Sequence, residues 1–226
     1  MKQSLVLAIA FAFASMSAFA QDATPEFADY SAGLAISPFG PSINLTYNVD
    51  AKNSISAGFG FSPEVSAPDA LLPDFETNTY DVTGTSSWLG VFWRHRPFEN
   101  QNFGFNLGLA SGQIQNTLDG NFDDVEDGET VVEHEYSVNY TENPVMYLGV
   151  SYGLKPVKGF QFGIDLGVLS TGGASVTHTG HMHLHEDDAE HNEIHEERVE
   201  DAINEISDKF AWTMLPNLQI GVAYGF

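Results

Sequence analysis

From residue 210 to 226 every second position is large and apolar, reading Phe, Trp, Met, Pro, Leu, Ile, Val, Tyr and Phe. The positions between them are Ala, Thr, Leu, Asn, Gln, Gly, Ala and Gly. Successive side chains of a strand point to opposite faces, so this period of two predicts a strand with one oily face and one small, mostly polar face. The same pattern recurs over 160–168, 146–152, 103–109, 55–61 and 43–49. Shorter versions lie at 89–93, whose other face is Trp88, Gly90 and Phe92, and at 30–36. Eight strands are predicted.

A soluble sandwich would also alternate, but its second face would meet water and carry Lys, Glu and Thr. Here that face carries Gly, Ser, Ala, Asn and Gln. Such residues fit the narrow interior of a closed barrel, leaving the large face for lipid. The expected fold is therefore all-β, an eight-stranded antiparallel transmembrane up-and-down β-barrel. Eight strands leave a bore wide enough only for side chains or one small ligand. Trp88, Phe92, Asn106, Gln161 and Gln219 are expected to fill it. Asp165 shares the inward parity, and a carboxylate in a barrel wall is costly unless paired. Arg94, inward on the fourth strand, is its expected partner.

The connections fall into two classes. Those after strands two, four and six are short (50–53, 97–101 and 155–158), and those after strands three, five and seven are long (62–81, 117–135 and 179–208). Charge sorts with length. The chain has 8 Lys and Arg against 31 Asp and Glu, a net charge of −23. The long connections hold 24 of the acidic residues, while Lys52, Arg94, Arg96, Lys155 and Lys158 lie in or beside the short turns. Short turns inside and long loops outside are the rule for bacterial outer-membrane barrels, with both termini periplasmic. Clustered cations, which a nucleic-acid partner would require, are missing. The absence of cysteine removes disulfides, thiolate metal sites and cysteine nucleophiles. Residues 1–20 combine Lys2, an apolar stretch and a small-x-small exit at Ala18-Phe19-Ala20, the pattern of a secretory signal peptide. Residues 21–226 are then expected to make one outer-membrane barrel domain.

Candidate chemistry is concentrated in the last long connection, the His- and acid-rich insert at about 179–208. Six of the eight histidines fall between His178 and His195. His181, His183 and His185 would share a face if the strand continues, and His191 and His195 are one helical turn apart. Such imidazoles can bind a divalent transition metal, Zn or Ni. Asp187 or Asp188 can cap a short helix reaching Ile206. The competing reading is a solvated acidic loop with no ion. The helix lacks the Glu that zinc proteases carry directly after their first His. Ser170 or Ser175 near His178 is an ordinary pairing at a loop base, and no enzymatic role is expected.

The C-terminal run Leu218, Ile220, Val222, Tyr224 and Phe226, with its terminal Phe, resembles the assembly signal of Gram-negative outer-membrane barrels. The chain is similar to the small eight-stranded barrels typified by OmpA, OmpX and OmpW. It is more similar still to proteobacterial barrels of unassigned activity that share a Trp-x-x-x-Pro-Phe turn, here 93–98, and an acidic helical insert before an apolar-Pro step, here Leu215-Pro216. The resemblance implies an integral outer-membrane monomer with lipid and lipopolysaccharide around it, delivered by periplasmic chaperones and the barrel-assembly machinery. The expected role is structural or surface-interacting, with a closed, side-chain-filled interior. The alternatives are a surface metal-binding protein using the His-rich loop and, less favoured, an OmpW-like conduit for small apolar molecules.

Overall fold

The computed structural model describes residues 26–67, 72–76, 79–123, 131–140, 144–180 and 189–226. Ten strands and one helix make its frame. The strands are β1 (Tyr30–Ser37), β2 (Gly40–Asn48), β3 (Asn53–Ser66), β4 (Tyr80–His95), β5 (Phe103–Asp123), β6 (Val131–Asn139), β7 (Val145–Gly153), β8 (Gly159–Ser170), β9 (Ser175–Gly180) and β10 (Met214–Gly225). The helix is α1 (Ala189–Lys209). β1, β2, β3, β4, β5, β7, β8 and β10 are hydrogen-bonded in that order into an antiparallel ring, and β10 returns to β1 from Ser31↔Gly225 to Ile36↔Ile220. These are the eight strands that alternation predicts. Closure leaves the ring no open edge.

Register keeps the two faces separate around the ring. Leu218 and Ile220 of β10 lie opposite Leu166 and Ile164 of β8, while Gln219 between them lies opposite Asp165. Leu34, Leu45, Leu89, Leu148, Leu166 and Ile220 on the outward face keep 42 to 62% of their surface exposed. An apolar belt of that extent is not a water-facing surface.

Two strands and much of a third were not expected. The stretch 117–135 reads in sequence as an acidic loop, yet β5 runs through Asp123 and β6 begins at Val131. The lower half of β5 pairs with β7 from Phe103↔Tyr152 to Ala110↔Val145, and its upper half pairs with β6 from Gln115↔Asn139 to Asp123↔Val131. β9 joins the far side of β6. The upper parts of β3, β4 and β5, with β6 and β9, thus rise from one rim of the ring as a headpiece.

The reason lies in which face is oily. Along β5 the outward residues Phe103, Phe105, Leu107 and Leu109 give way to Ser111, Gln113, Gln115 and Thr117, and the inward Asn106 and Gly108 give way to Ile114 and Leu118. β4 makes the same change on its outward face. Its outward Leu89, Val91 and Trp93 become Ser87, Thr85 and Asp81 towards the headpiece, while its inward face, already aromatic at Trp88 and Phe92, passes through Ser86 and Gly84 to buried Val82 and Tyr80. Below the exchange the strands are apolar outside; above it they are apolar inside.

α1 supplies the cover this inner face requires. Predicted over 187–206, it is placed at Ala189–Lys209. Ala202 and Ile206 are fully buried, and with Val199 and Ile203 they pack on Tyr80, Val82, Leu118, Tyr136 and Val138. Leu215, Ile114, Tyr140 and Phe39 belong to the same cluster, so it also closes the bore at its headpiece end. Lys209 fixes the last turn, binding Glu76 at 3.2 Å, Glu205 at 2.9 Å and the Asp74 carbonyl at 2.9 Å. Tyr140 donates to the Phe210 carbonyl at 2.8 Å, tying the helix exit to the wall.

The other end is built from tight turns. In the β2–β3 turn Asp50 Oδ1 accepts from the amides of Lys52 and Asn53 at 2.6 and 2.7 Å. The Asn53 side chain and these two amides hold its carboxyl below the usual range. Both ends of the described chain lie here: the Ala28 amide donates to Pro156, and the Phe226 amide donates to the Tyr30 carbonyl at 2.9 Å.

Candidate functional site

Two places gather chemistry, the bore and the headpiece. In the bore, Asp165 is buried and faces inward, as parity requires. Arg94 Nη2 lies 3.3 Å from its Oδ2, and Arg94 Nε donates to Asn106 Oδ1 at 2.8 Å. Asn106 Nδ2 donates to the same carboxylate oxygen, and the Tyr147 hydroxyl donates to the other. Arg94 is thus the partner, and two neutral donors complete the shell that a buried carboxylate needs. Sequence parity finds Arg94 and Asn106 but gives Tyr147 no role.

Above this group an aromatic ladder climbs the wall. Trp88 meets Phe92 edge to face at 6.1 Å between centroids, and Phe92 meets Tyr147 likewise at 5.8 Å. Gly60 and Gly108 make room, since a Cβ on either would fall within the Trp88 or Phe92 ring respectively. Trp88 Nε1 donates to the Phe39 carbonyl at 3.4 Å, joining ladder and ceiling.

The ladder does not fill the bore. A cavity of about 130 Å³ remains between it and the small inward residues of β1 and β10: Ser31, Gly33, Ala35, Gly221 and Ala223. Trp88, Phe92, Asn106 and Gln219 line it as expected, whereas Gln161, half-buried on β8 near the turns, does not. The expectation of a completely filled interior is corrected accordingly: short side chains on β1 and β10 face long ones on β4 and β7, and the widths do not add up to the bore.

Arg96 is a second correction. Its place beside a short turn suggests a rim charge, but it is 2% exposed and forms part of the cavity wall. Its Nη1 donates to Ser54 Oγ at 2.9 Å and its Nη2 to the Leu154 carbonyl at 2.8 Å. Leu154 holds a left-handed backbone, φ 48°, at the exit of β7. Among the described residues the buried Nε of Arg96 has no acceptor.

In the headpiece, His134 of β6 and His178 of β9 lie side by side, with Nδ1 2.8 Å from Nε2 and rings 5.0 Å apart. Tyr136 packs its ring 5.0 Å from His178. Burial pushes the His178 imidazole below its ordinary value. His134 is a residue that sequence reasoning passed over; its separation from the histidine run hid a contact made only by β6–β9 pairing. Of the expected metal ligands, His181, His183 and His185 lie outside the described residues. His191 and His195 are placed only as backbone positions on α1. Among the described residues no three His, Asp or Glu side chains gather as a metal site.

The C-terminal run lies along β10 at the ring's closing seam, with Phe226 one residue past the strand's end. Leu218, Ile220, Tyr224 and Phe226 are exposed outward, Val222 is half-buried, and the Phe226 ring stacks on Tyr30 at 6.2 Å.

No family model matches the chain, and no curated protein matches it. Solved structures do. The chain is similar to Acinetobacter baumannii CarO, with a TM-score of 0.62 and 17% identity over 88% of this chain and 98% of that one. It is similar also to Acinetobacter baumannii CarO2, with a TM-score of 0.63 and 17% identity over 90% of this chain and all (100%) of that one. At this identity the likeness is one of fold, and the fold shared is an outer-membrane β-barrel.

Proposed function

We propose that this chain is an integral outer-membrane protein of structural or surface-interaction type, with a bore closed to solutes and a headpiece that presents its working surface outside the cell. The observation that carries this is the change of the outward face from oily to polar along β4 and β5. A water-soluble barrel would have no reason to keep an oily outer belt below a polar one, whereas a strand leaving lipid for water must make that change. The short turns and both ends of the described chain lie together, which supports periplasmic termini. Lipid and lipopolysaccharide are then the standing neighbours, with the β10 run read by the assembly machinery during biogenesis. The protein is proposed to act as a monomer and without catalysis. Kinship with OmpA, OmpX and OmpW rests on strand number and the β10 run alone. An OmpW-like conduit needs a lateral gap or an apolar lumen, but the ring is paired on every side and Arg94, Asn106 and Asp165 cross the bore.

Because the chain has no cysteine, single cysteines test the boundary cleanly. In intact cells Gln113→Cys should react with a water-soluble maleimide, and Leu107→Cys should react only with a lipid-soluble one. Equal aqueous labelling of both would remove the membrane reading. In planar bilayers negligible conductance is expected, and steady porin-like currents would remove the closed bore.

A second reading has one specific support. His178 of the His134–His178 pair stands three residues before His181 in the sequence, so a surface metal site for Zn or Ni would start from that pair and take in His181, His183, His185, His191 and His195. Calorimetry with Zn²⁺ should show binding that is lost when those five histidines are changed to Ala. No heat at neutral pH would leave the solvated-loop reading.

A further inference from the structure

We propose that the bore cavity is a binding site for a small monovalent anion, a halide or a short-chain carboxylate, held against Arg96. Three ionic groups line the cavity: Arg94, Asp165 and Arg96. Arg94 and Asp165 neutralise each other at 3.3 Å, which leaves the Arg96 guanidinium as the uncompensated charge of the interior. Among the described residues no carboxylate lies within ion-pair distance of it. The carboxylate whose field reaches it is Asp50, on the exposed turn, where it already accepts from Lys52 and Asn53.

A buried cation without a counter-charge is among the costliest arrangements a fold can keep. Ser54 and the Leu154 carbonyl satisfy two of its N–H groups, and among the described residues the Nε proton has no acceptor although it is shut off from solvent. Asn217, also buried and part of the cavity wall, is 6% exposed. A guanidinium binds anions well because its N–H groups form a rigid fork. Size favours a small ligand: about 130 Å³ suits an ion or a few heavy atoms. Net charge limits it further, since one unpaired guanidinium matches one negative charge. The lining is mixed, with Ser31, Thr46 and Gln219 beside Ala35 and Phe92, so a carboxylate carrying a methyl or ethyl group would find both polar and apolar neighbours. The proposal is independent of what the headpiece does.

The test uses the refolded full barrel crystallised with bromide and, separately, ¹³C-acetate NMR of the protein in detergent. The expected result is an anomalous bromide peak beside Arg96 and acetate exchange that bromide competes away. Arg96→Gln should abolish the peak and weaken acetate binding by about tenfold or more, the scale of one charge-assisted contact. Should Arg96→Gln fail to fold, Ala223→Leu keeps the charge and fills the cavity, and it should likewise abolish the peak. Lys158→Gln, which changes an exposed cation at the same rim, should leave both signals intact. No bromide in the bore, or bromide that persists in Arg96→Gln or in Ala223→Leu, would overturn the proposal.

Discussion

Asp165 and Arg94 stand or fall together. Asp165→Asn leaves the guanidinium buried without its partner, and such one-sided losses cost about 3–5 kcal/mol. Changing both, Arg94→Met with Asp165→Leu, removes the two charges at once and should recover most of that loss. Urea unfolding of the refolded barrels checks this, and equal destabilisation by the single and double variants would contradict it. His178 gives the pH dependence. Its folded imidazole takes up a proton less readily than the unfolded one, so the unfolded chain binds more protons as pH falls. The stability it contributes is full above about pH 6.5 and is lost progressively below it. The protection factors of the Thr177 and Thr179 amides on β9, corrected for the slower intrinsic exchange at low pH, should fall from about pH 7.5 to about pH 5.5, while those of the β1–β10 amides hold. Parity alone makes Asp165 and Arg94 legible as inward residues in the sequence. Arg96 has the parity of Arg94 but stands one residue past the end of β4, where alternation stops dictating direction.

Among elements, α1 depends on its buried stripe. Ile206→Ala should cost about 2–5 kcal/mol of docking, the range for a fully buried aliphatic cut to Ala. Hydrogen exchange should show α1 and the Tyr136 region deprotected with the barrel ring unchanged. Uniform deprotection would mean that headpiece and ring unfold as one unit. The eight ring strands are legible because lipid on one side and a crowded bore on the other impose a strict two-residue period. β6 is regular too: His134, Tyr136, Val138 and Tyr140 alternate with Glu135, Ser137 and Asn139. Its oily side faces inward and Glu135 lies exposed on the other side, so a search for the barrel pattern reads its acidic residues as a loop. β9 is only six residues long and has little room for any period. The chemistry of the headpiece follows from these two strands and is hidden with them.

For the molecule as a whole, the decisive event is ring closure. β1 and β10 are far apart in sequence, and Phe226 closes their ladder through reciprocal backbone bonds with Tyr30. As one exposed rim residue it contributes at most about 1.5–3 kcal/mol by burial. Deleting it should leave the refolded barrel close to its original stability yet sharply lower its level in the outer membrane of cells; equal cellular levels would contradict a signalling role. The continuity of β5 bears on how the protein carries load. Hydrogen bonds between strands run across the strand axis, so a pull along that axis strains the whole ladder at once. β4 and β5 share 16 residue pairs, from Tyr80↔Gly120 down to His95↔Phe105, and these span both headpiece and ring. A body gripping the tip of β5 therefore pulls on the barrel wall in shear, with no hinge between grip and wall. The upper part of β5, from Ser111 to Asp123, is about 40 Å of strand. It works as a mast stepped into the hull, and whatever it holds is kept at a fixed stand-off and cannot swing freely.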